Sequence, residues 1–226
     1  MKLLVLGRGK TGALVAEVAK ERGHEVRSLG SKENQDGRAL TVELLKATDA
    51  VIDFTTPLAV VPNIIHCAEA GLPVVVGTTG WYQHLEKVRE LIKERKTGFL
   101  YGSNFSVSMN FFFKAIRAIA PLLKHEYRGS IVERHHVHKK DSPSGTAVTL
   151  QKILESGSGA KLEITSVREG ETVGMHLVML DSANDTILLT HDAKSRLGFA
   201  AGAVRAAEWI KGKSGFWEFP EIVDQL

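Results

Sequence analysis

The feature that most constrains the fold is a glycine-rich turn near the N-terminus, which lies between a short apolar run and a helical pattern. Residues 3–6 are apolar, residues 7–12 fit the pattern G-x-G-x-x-G, and residues 11–22 carry apolar side chains at helical spacing. Residues 25–29 have the pattern of a second strand. A strand, a glycine turn, a helix and a strand within about thirty residues form a βαβ unit. The chain is therefore predicted to begin with a parallel α/β layer.

The same alternation continues to about residue 106. Three more strands and two more helices are predicted there, the strands over 50–54, 73–76 and 98–101 and the helices over 58–70 and 82–96. Strands that alternate with helices form a parallel sheet covered by helices. Residues 1–106 are therefore predicted to form an α/β Rossmann dinucleotide-binding domain.

Residues 107–199 follow a different pattern. Helices are predicted over 111–125 and 146–155, and strands over 130–133, 163–168, 174–180 and 186–192. The last three strands have no helix between them, which indicates an antiparallel or mixed open sheet. We predict an α+β domain here, with the Ser-Gly-Ser-Gly stretch at 156–159 as a flexible connector.

Composition excludes several classes of protein. The 43% of hydrophobic and 24% of charged residues are ordinary for a globular chain. A net charge of +3 is too small to indicate a nucleic-acid partner. No run approaches the roughly 20 apolar residues of a membrane span, and the single cysteine, Cys67, excludes an intramolecular disulfide. We expect a cytoplasmic protein with neither a membrane nor a nucleic-acid partner.

The glycine turn is the first candidate binding site. Glycines allow a close backbone approach to a pyrophosphate, and the following helix offers free N–H groups at its N-terminus. A strand before the pattern and a helix after it are the context that a dinucleotide site requires. We expect the turn to bind the cofactor; a plain glycine turn is the alternative. Its residues are Gly7, Arg8, Gly9, Lys10, Thr11 and Gly12.

The residues after the second strand bear on the choice of coenzyme. An NAD site usually has Asp or Glu at the end of this strand, where it binds the ribose 2′-hydroxyl. Here Ser31 and Lys32 lie close to the strand end, and Glu33 comes slightly late. Ser31 and Lys32, with Arg8 or Lys10, could hold a 2′-phosphate instead, which favours NADPH over NADH. A solvated loop lysine is the alternative for Lys32.

A second glycine-containing turn follows the predicted strand at 73–76. It consists of Gly77, Thr78, Thr79 and Gly80. Open parallel sheets bind ligands at the carboxyl ends of their strands, and the two glycines permit close approach to a flat ring. A helix start capped by Thr79 explains the same residues equally well.

Three of the nine histidines, His135, His136 and His138, fall within four residues and are followed by Lys139 and Lys140. Histidines bind zinc, or they bind acids and transfer protons. In a strand, His136 and His138 would share a face, and further ligands would have to come from elsewhere, for example from His176 or His191. Because the adjacent lysines disfavour a cation, we predict no metal and favour an anion.

A helix start directly after these lysines supports the anion. Pro143 and Gly145 shape a turn, and Ser144 or Thr146 could cap the helix. Free N–H groups, hydroxyls and a lysine together form a carboxylate site. A capped helix with a solvated turn is the alternative.

Residues 133–147 resemble the signature of the 4-hydroxy-tetrahydrodipicolinate reductases (dihydrodipicolinate reductases), E-x-H-H-x-x-K-x-D-[AS]-P-S-G-T-A, at every fixed position. Residues 77–80, 103–110 and 199–205 resemble other segments of that family, so the resemblance spans the chain. Three features depart from it. Leu6 replaces the first glycine of the family's turn, with Gly7 one place later; Tyr101 and Gly102 precede Ser103 where the family often has small residues; and the segment before the third strand is short.

The resemblance implies a fold, a reaction and a set of residues. The family transfers hydride from NADPH or NADH to a cyclic dicarboxylate in diaminopimelate and lysine biosynthesis. It has a Rossmann domain, to which a C-terminal segment of about 200–226 returns, and an α+β domain at 107–199 whose sheet builds a homotetramer. By resemblance, His135 is the general acid/base, Lys139 donates a proton, and the substrate carboxylates are bound by His136, Ser144, Gly145 and Thr146. The cofactor is held by the first turn and by Gly77, Thr78, Thr79, Tyr101, Gly102, Ser103 and Asn104.

Three other functions compete with this one. A nucleotide-binding sensor without turnover would keep the fold but would not need a proton donor. A zinc hydrolase would use the histidines. Another Rossmann reductase with an α+β domain would lack the K-x-D-x-P-S-G-T stretch.

Overall fold

A computed structural model describes residues 1–159 and 162–226 and divides them into two compact units. Unit 1 consists of Met1–Val107 and Leu197–Leu226, and unit 2 of Ser108–Arg196. Both ends of the chain therefore belong to unit 1. Within the two described ranges, no helix is long and apolar enough to cross a membrane.

Strands and helices alternate in the first half of the chain and group together in the second. In chain order they are β1 (Lys2–Leu6), α1 (Lys10–Glu21), β2 (Glu25–Leu29), α2 (Val42–Lys46), β3 (Ala50–Asp53), α3 (Pro57–Glu69), β4 (Val74–Val76), α4 (Leu85–Arg95), β5 (Gly98–Tyr101), α5 (Val107–Ile119), β6 (Arg128–His135), α6 (Gly145–Ser158), β7 (Ile164–Arg168), β8 (Gly174–Asp181), β9 (Thr186–Ala193), α7 (Leu197–Ile210), β10 (Gly215–Glu218) and α8 (Phe219–Ile222).

Unit 1 is a six-stranded parallel sheet with helices on both faces. The strand order is β10-β5-β4-β3-β1-β2. Leu3 and Val5 of β1 pack with α1 and α7, whereas Leu4 and Leu6 pack with α3 and α4. Successive side chains of a strand point to opposite faces, so a strand covered on both sides must be apolar throughout. The predicted Rossmann-type α/β fold is confirmed.

The C-terminal segment adds an edge strand that the sequence pattern does not reveal. β10 pairs in parallel with β5, and three of its four residues are only half-buried. Its four residues, Gly-Phe-Trp-Glu, are too few to show an alternation of apolar and polar side chains. The sheet of unit 1 is therefore completed by residues distant in sequence.

Unit 2 contains a four-stranded mixed sheet in the order β7-β6-β8-β9. β6 pairs in parallel with β7 and antiparallel with β8, which pairs antiparallel with β9. The predicted α+β fold with a mixed open sheet is confirmed. One face packs on α5 and α6, while half-buried or exposed side chains occupy the other, among them Val132, Leu177, Met179 and Leu188.

Residues 156–159 do not form the predicted flexible connector. Ser156, Gly157 and Ser158 are the last turn of α6, and Gly159 ends the helix with a φ of +74°. A methyl group at Gly157 would lie 2.6 Å from Cβ of Ala120, so glycine is required for close packing. The hydroxyl of Ser156 donates to the carbonyl of Ile153, as serines can within a helix. Composition alone was therefore misleading here.

Close packing at a helix glycine also occurs in α7 of unit 1, where two glycines allow it to be tested. A methyl group at Gly202 would lie 1.7 Å from the carbonyl oxygen of Phe105, whereas one at Gly198 has nothing within 4 Å. We expect Gly202→Ala to lower the free energy of unfolding by about 3 kcal/mol or more, because backbone must move. The control Gly198→Ala should raise it by up to about 1 kcal/mol, since alanine is the better helix former. Urea unfolding measures both; equal midpoints would contradict the packing argument.

Candidate functional site

The glycine turn of unit 1 brings three backbone segments into contact. Gly7 has a φ of +99°, and a methyl group there would lie 2.1 Å from the carbonyl oxygen of Phe54. A methyl group at Gly12 would lie 2.1 Å from the carbonyl oxygen of Gly7. Only glycine fits at these two positions. The turn therefore holds the start of α1 against the carboxyl ends of β1 and β3.

A cavity of about 350 Å³ lies beside this turn. Its lining residues come from the turn and from the ends of β3 and β4: Gly9, Lys10, Thr11, Gly12, Phe54, Thr55, Pro57, Gly77, Thr78 and Thr79. In the described chain, no side chain caps the first turn of α1 at Gly9, so its N–H groups are open to an anion. The volume, the glycines and the helix end fit the phosphates and ring of a dinucleotide.

Asp53, which the sequence analysis did not single out, fixes two of these lining residues. It is fully buried and accepts hydrogen bonds from Thr55, from the Thr78 hydroxyl at 2.8 Å and from the Asn63 amide at 2.8 Å. Burial raises the pKa of Asp53, and these hydrogen bonds oppose the rise. An acidic residue in the otherwise apolar strand at 50–54 was the sequence signal.

Glu33 lies nearer to the end of β2 than its place in the sequence indicates. Its carboxylate accepts a hydrogen bond from the N–H of Gly30 at 2.8 Å and pairs with Arg8 at 2.8 Å. The Gly30 hydrogen bond is the main reason why the pKa of Glu33 is lowered, and Arg8 adds to it. Although Glu33 comes slightly late in the sequence, the chain turns back after Gly30 and brings its carboxylate to the end of β2. Ser31 and Lys32 are exposed beside this pair.

The remaining cofactor candidates lie outside the cavity lining. Tyr101 ends β5, and the N–H of Gly102 donates to the carbonyl of Val76 in β4. Ser103 and Asn104 follow, with the Asn104 side chain accepting from the N–H of Ser106. Gly7, Arg8, Ser31 and Lys32 are likewise absent from the lining of the described cavity.

Unit 2 holds a buried polar cluster at the end of β6. The carboxylate of Glu133 contacts Nδ1 of His135 and lies 2.8 Å from the guanidinium of Arg168. The His135 and His176 rings are 5.2 Å apart between centroids. Burial lowers the pKa of His176 to about 4 and also lowers that of His135. His135 has a partner that orients it, and His176 is neutral.

The pair of histidines expected to share a strand face does not do so. β6 ends at His135, so His136 and His138 lie in the turn after it, with their rings 6.2 Å apart. A different group, Glu133, His135 and His176, places one ligand atom each within 4.8 Å of one another. Arg168 places a positive charge 2.8 Å from the Glu133 carboxylate, which disfavours a divalent cation there.

The other predicted residues of unit 2 surround the start of α6. The hydroxyl of Ser144 accepts from the N–H of Ala147 as the helix cap and lies 3.2 Å from Nε2 of His176. Gly145 and Thr146 form the first turn of the helix.

Two cationic side chains belong to this part of unit 2. Lys139 lies in the connection between β6 and α6, and Arg196 is the last residue of the unit. Nζ of Lys139 pairs with both carboxylate oxygens of Asp141, at 2.8 and 2.9 Å. Arg196, which the sequence analysis did not single out, lies 3.5 Å from Nε2 of His136. Helix N–H groups, a hydroxyl and cations together are the chemistry that binds carboxylates.

Comparison with known proteins decides the family. Two family models match, dihydrodipicolinate reductase N-terminus over residues 1–105 and dihydrodipicolinate reductase C-terminus over residues 108–223. The chain belongs to the dihydrodipicolinate reductase family. The matched C-terminal range includes the segment that carries Glu133, His135, Lys139 and the cap of α6.

Several relatives agree with this membership. A 4-hydroxy-tetrahydrodipicolinate reductase of Christiangramia forsetii is 38% identical over 242 residues, which cover 100% of this chain and 99% of the relative. That of Neisseria meningitidis is 32% identical over 200 residues, covering 80% of this chain and 74% of the relative. The dipicolinate-bound dihydrodipicolinate reductase of Paenisporosarcina sp. TG-14 has a similar fold, with a TM-score of 0.83 at 20% identity over 98% of this chain and 99% of that chain.

Proposed function

We propose that the chain is an NAD(P)H-dependent 4-hydroxy-tetrahydrodipicolinate reductase of diaminopimelate and lysine biosynthesis. The observation that carries this proposal is the fold of the signature: His135 is buried against Glu133, while Lys139 and the start of α6 follow it. A binding protein without turnover would not need an oriented histidine beside a lysine. The Arg168–Glu133 ion pair argues against the zinc hydrolase.

The substrate class follows from the groups around the start of α6. A cyclic imine with two carboxylates needs two anion contacts, and we assign these to His136, Ser144, Gly145 and Thr146. The N–H groups of the first turn and the Ser144 hydroxyl can donate to one carboxylate. Arg196 adds a cation next to His136. The neutral His176 beside Ser144 leaves the hydroxyl free to serve as donor or acceptor.

The proton chemistry is assigned to His135 and Lys139. The cofactor supplies hydride to C4 of the ring when it is bound. The electron pair displaced toward the ring nitrogen or adjacent carbon must take up a proton, and Lys139 is assigned as its donor. Asp141 holds the Lys139 ammonium at 2.8 Å and so keeps it in place. His135 is assigned as the general acid/base.

In unit 1 we assign the cofactor to the glycine turn and the neighbouring strand ends. Gly9 to Gly12 would hold the phosphates of the cofactor, and Gly77 to Thr79 would hold its nicotinamide ring. The end of β5, Tyr101 to Asn104, and the end of β2 would complete the site. The pair of Arg8 and Glu33 leaves both coenzymes open, since Glu33 suits a ribose hydroxyl whereas Arg8 and Lys32 suit a 2′-phosphate.

His135→Ala and Lys139→Ala test the assigned roles. Each should lower kcat on the order of 10²- to 10⁴-fold, because a positioned acid or base contributes about that much, while NADPH binding stays near that of the parent. The rate is followed at 340 nm with substrate generated from pyruvate and aspartate semialdehyde. Lys140→Ala, an exposed neighbour, is the matched control and should remain active. Unchanged rates in both variants would refute the roles, and a parent that binds coenzyme without turnover would favour the sensor.

The coenzyme assignment has a separate test. Lys32→Ala should weaken NADPH binding more than NADH binding, because only NADPH carries the 2′-phosphate. Glu33→Gln should weaken NADH more, since it replaces the charged carboxylate acceptor for the ribose hydroxyl with a weaker, neutral amide. Fluorescence titration of the parent and both variants with each coenzyme gives the dissociation constants to be compared. Equal effects of Lys32→Ala on the two coenzymes would show that Lys32 does not contact the phosphate.

We also propose that the chain forms a homotetramer through the open face of the sheet in unit 2. Met179 and Leu188 are cross-strand neighbours there, and Leu188 is 59% exposed. An apolar sheet face of this kind is stabilised when a second copy covers it.

Leu188→Glu tests the tetramer, because it places a charge in the proposed interface. We expect the parent to sediment with four times the 24.7 kDa mass of one chain and the variant to shift to smaller species. A parent that sediments as a monomer would refute the proposal, as would a variant with unchanged mass.

We further propose that the protein works in the cytoplasm on a small-molecule substrate. Its free thiol, Cys67 of α3, is buried in the core of unit 1. A reducing compartment suits a chain with one unpaired cysteine.

A further inference from the structure

We infer that Glu133 is a positioning residue for His135: held by Arg168, its carboxylate keeps a proton on Nδ1, so that Nε2 becomes the reactive nitrogen, and Gly174 keeps Nε2 accessible. This inference rests on the proposed role of His135 as acid/base. It adds three residues, Glu133, Arg168 and Gly174, that act on His135 rather than on the substrate.

The first step is the geometry along β6. Glu133 and His135 are two residues apart on one strand, so their side chains share a face of the sheet. Glu133 is fully buried and His135 nearly so. The Glu133 carboxylate contacts Nδ1 of the ring. The contact is therefore shielded from water, which would otherwise compete for both groups.

The second step is the anchor from the neighbouring strand. In the β6–β7 register, Glu133 is opposite Ser166 and His135 is opposite Arg168. One terminal nitrogen of the Arg168 guanidinium lies 2.8 Å from Glu133, and the other donates to the carbonyl of Asp141 at 2.6 Å. Arg168 thus fixes the carboxylate and also the segment that follows Lys139.

The third step is the charge of Glu133. Burial by itself raises the pKa of a carboxyl group, but hydrogen bonds from Ser166, Arg168 and His135 outweigh it and lower the pKa of Glu133. The group is therefore a carboxylate, which only accepts hydrogen bonds. Nδ1 of His135 must then carry hydrogen, and the free lone pair of the neutral ring is on Nε2.

The fourth step is access to Nε2. Gly174 begins β8, and a methyl group there would lie 2.9 Å from Nε2 of His135. Any side chain at this position would cover the nitrogen that Glu133 leaves free. The absence of a side chain at Gly174 keeps this space open.

Four charged or titratable groups act on the His135 ring from the elements around it. Burial is the main cause that lowers the pKa of His135, Glu133 opposes it, and Lys139 and Arg168 reinforce it. His176 of β8 faces the ring and is itself kept neutral by burial, with His191 of β9 behind it. Because Glu133 alone among these raises the pKa of His135, removing its charge should lower that pKa further.

Glu133→Gln in the full chain tests the inference. The amide can donate to Nδ1 and favour the wrong tautomer, so we expect kcat to fall on the order of 100-fold. The limb of the pH–rate profile that belongs to His135 should move to lower pH. In ¹⁵N spectra of histidine-labelled protein, the His135 signals, assigned by their loss in His135→Ala, should change from the Nδ1–H to the Nε2–H form.

Two further variants keep the test decisive. Glu169→Gln is the matched control, because Glu169 is exposed and pairs with Arg134 at 3.4 Å; its rate and pH profile should match the parent. Gly174→Ala leaves the carboxylate in place and should lower kcat while the tautomer stays that of the parent. NADPH binding to unit 1 reports whether each variant is folded. If a variant fails to bind NADPH, the His135 tautomer in the parent protein tests the inference instead.

The outcomes separate this inference from the proposed function. An Nε2–H tautomer in the parent, or an unchanged tautomer and pH profile in Glu133→Gln, would overturn the inference. A fully active His135→Ala would overturn the acid/base role even where the spectra show that Glu133 controls the tautomer.

Discussion

A carboxylate removed from water must receive hydrogen bonds or a countercharge, and each unit of this chain buries one beside its candidate site. In the described chain, Asp53 and Glu133 are the two fully buried acidic side chains. Neutral donors satisfy Asp53, so it acts as a hub that sets the backbone beside the cavity. Glu133 pairs with Arg168 and contacts a histidine, so it retains a charge that acts on a neighbouring ring. The same physical requirement therefore shapes both the proposed cofactor site in unit 1 and the proposed proton-transfer site in unit 2.

The sequence predicts most of the fold because its signals are local. Residues 3–6 and 73–76 are continuous apolar runs, as strands buried on both faces must be. The glycine turn is predictable because only glycine permits the contacts made at Gly7 and Gly12. The signature from 133 to 147 identifies the family, and the assignment of Ser144 as helix cap agrees with the structure.

The features that sequence reasoning missed depend on contacts between distant residues. Glu33 reaches the end of β2 because the chain turns back at Gly30 to bond its own backbone. β10 exists because β5 offers a free edge. Ser156 to Ser158 are helical, and Gly157 packs against Ala120. The amino-acid composition of residues 156–159 does not reveal this packing contact. β6 ends at His135, so His136 lies outside the strand. His136 and His138 therefore do not share a strand face, which a metal site formed by this pair would require.

The signature is also incomplete as a description of the site. Glu133 and His135 lie within it, but the guanidinium that pairs with Glu133 comes from β7 and the open space beside Nε2 comes from β8. A chain could keep every residue from 133 to 147 and still lose the tautomer or the access through a change at 168 or 174. Strand pairing brings these positions together because β6 is the central partner of both strands. The proposed acid/base role of His135 therefore depends on the strands that pair with β6 as well as on the signature itself.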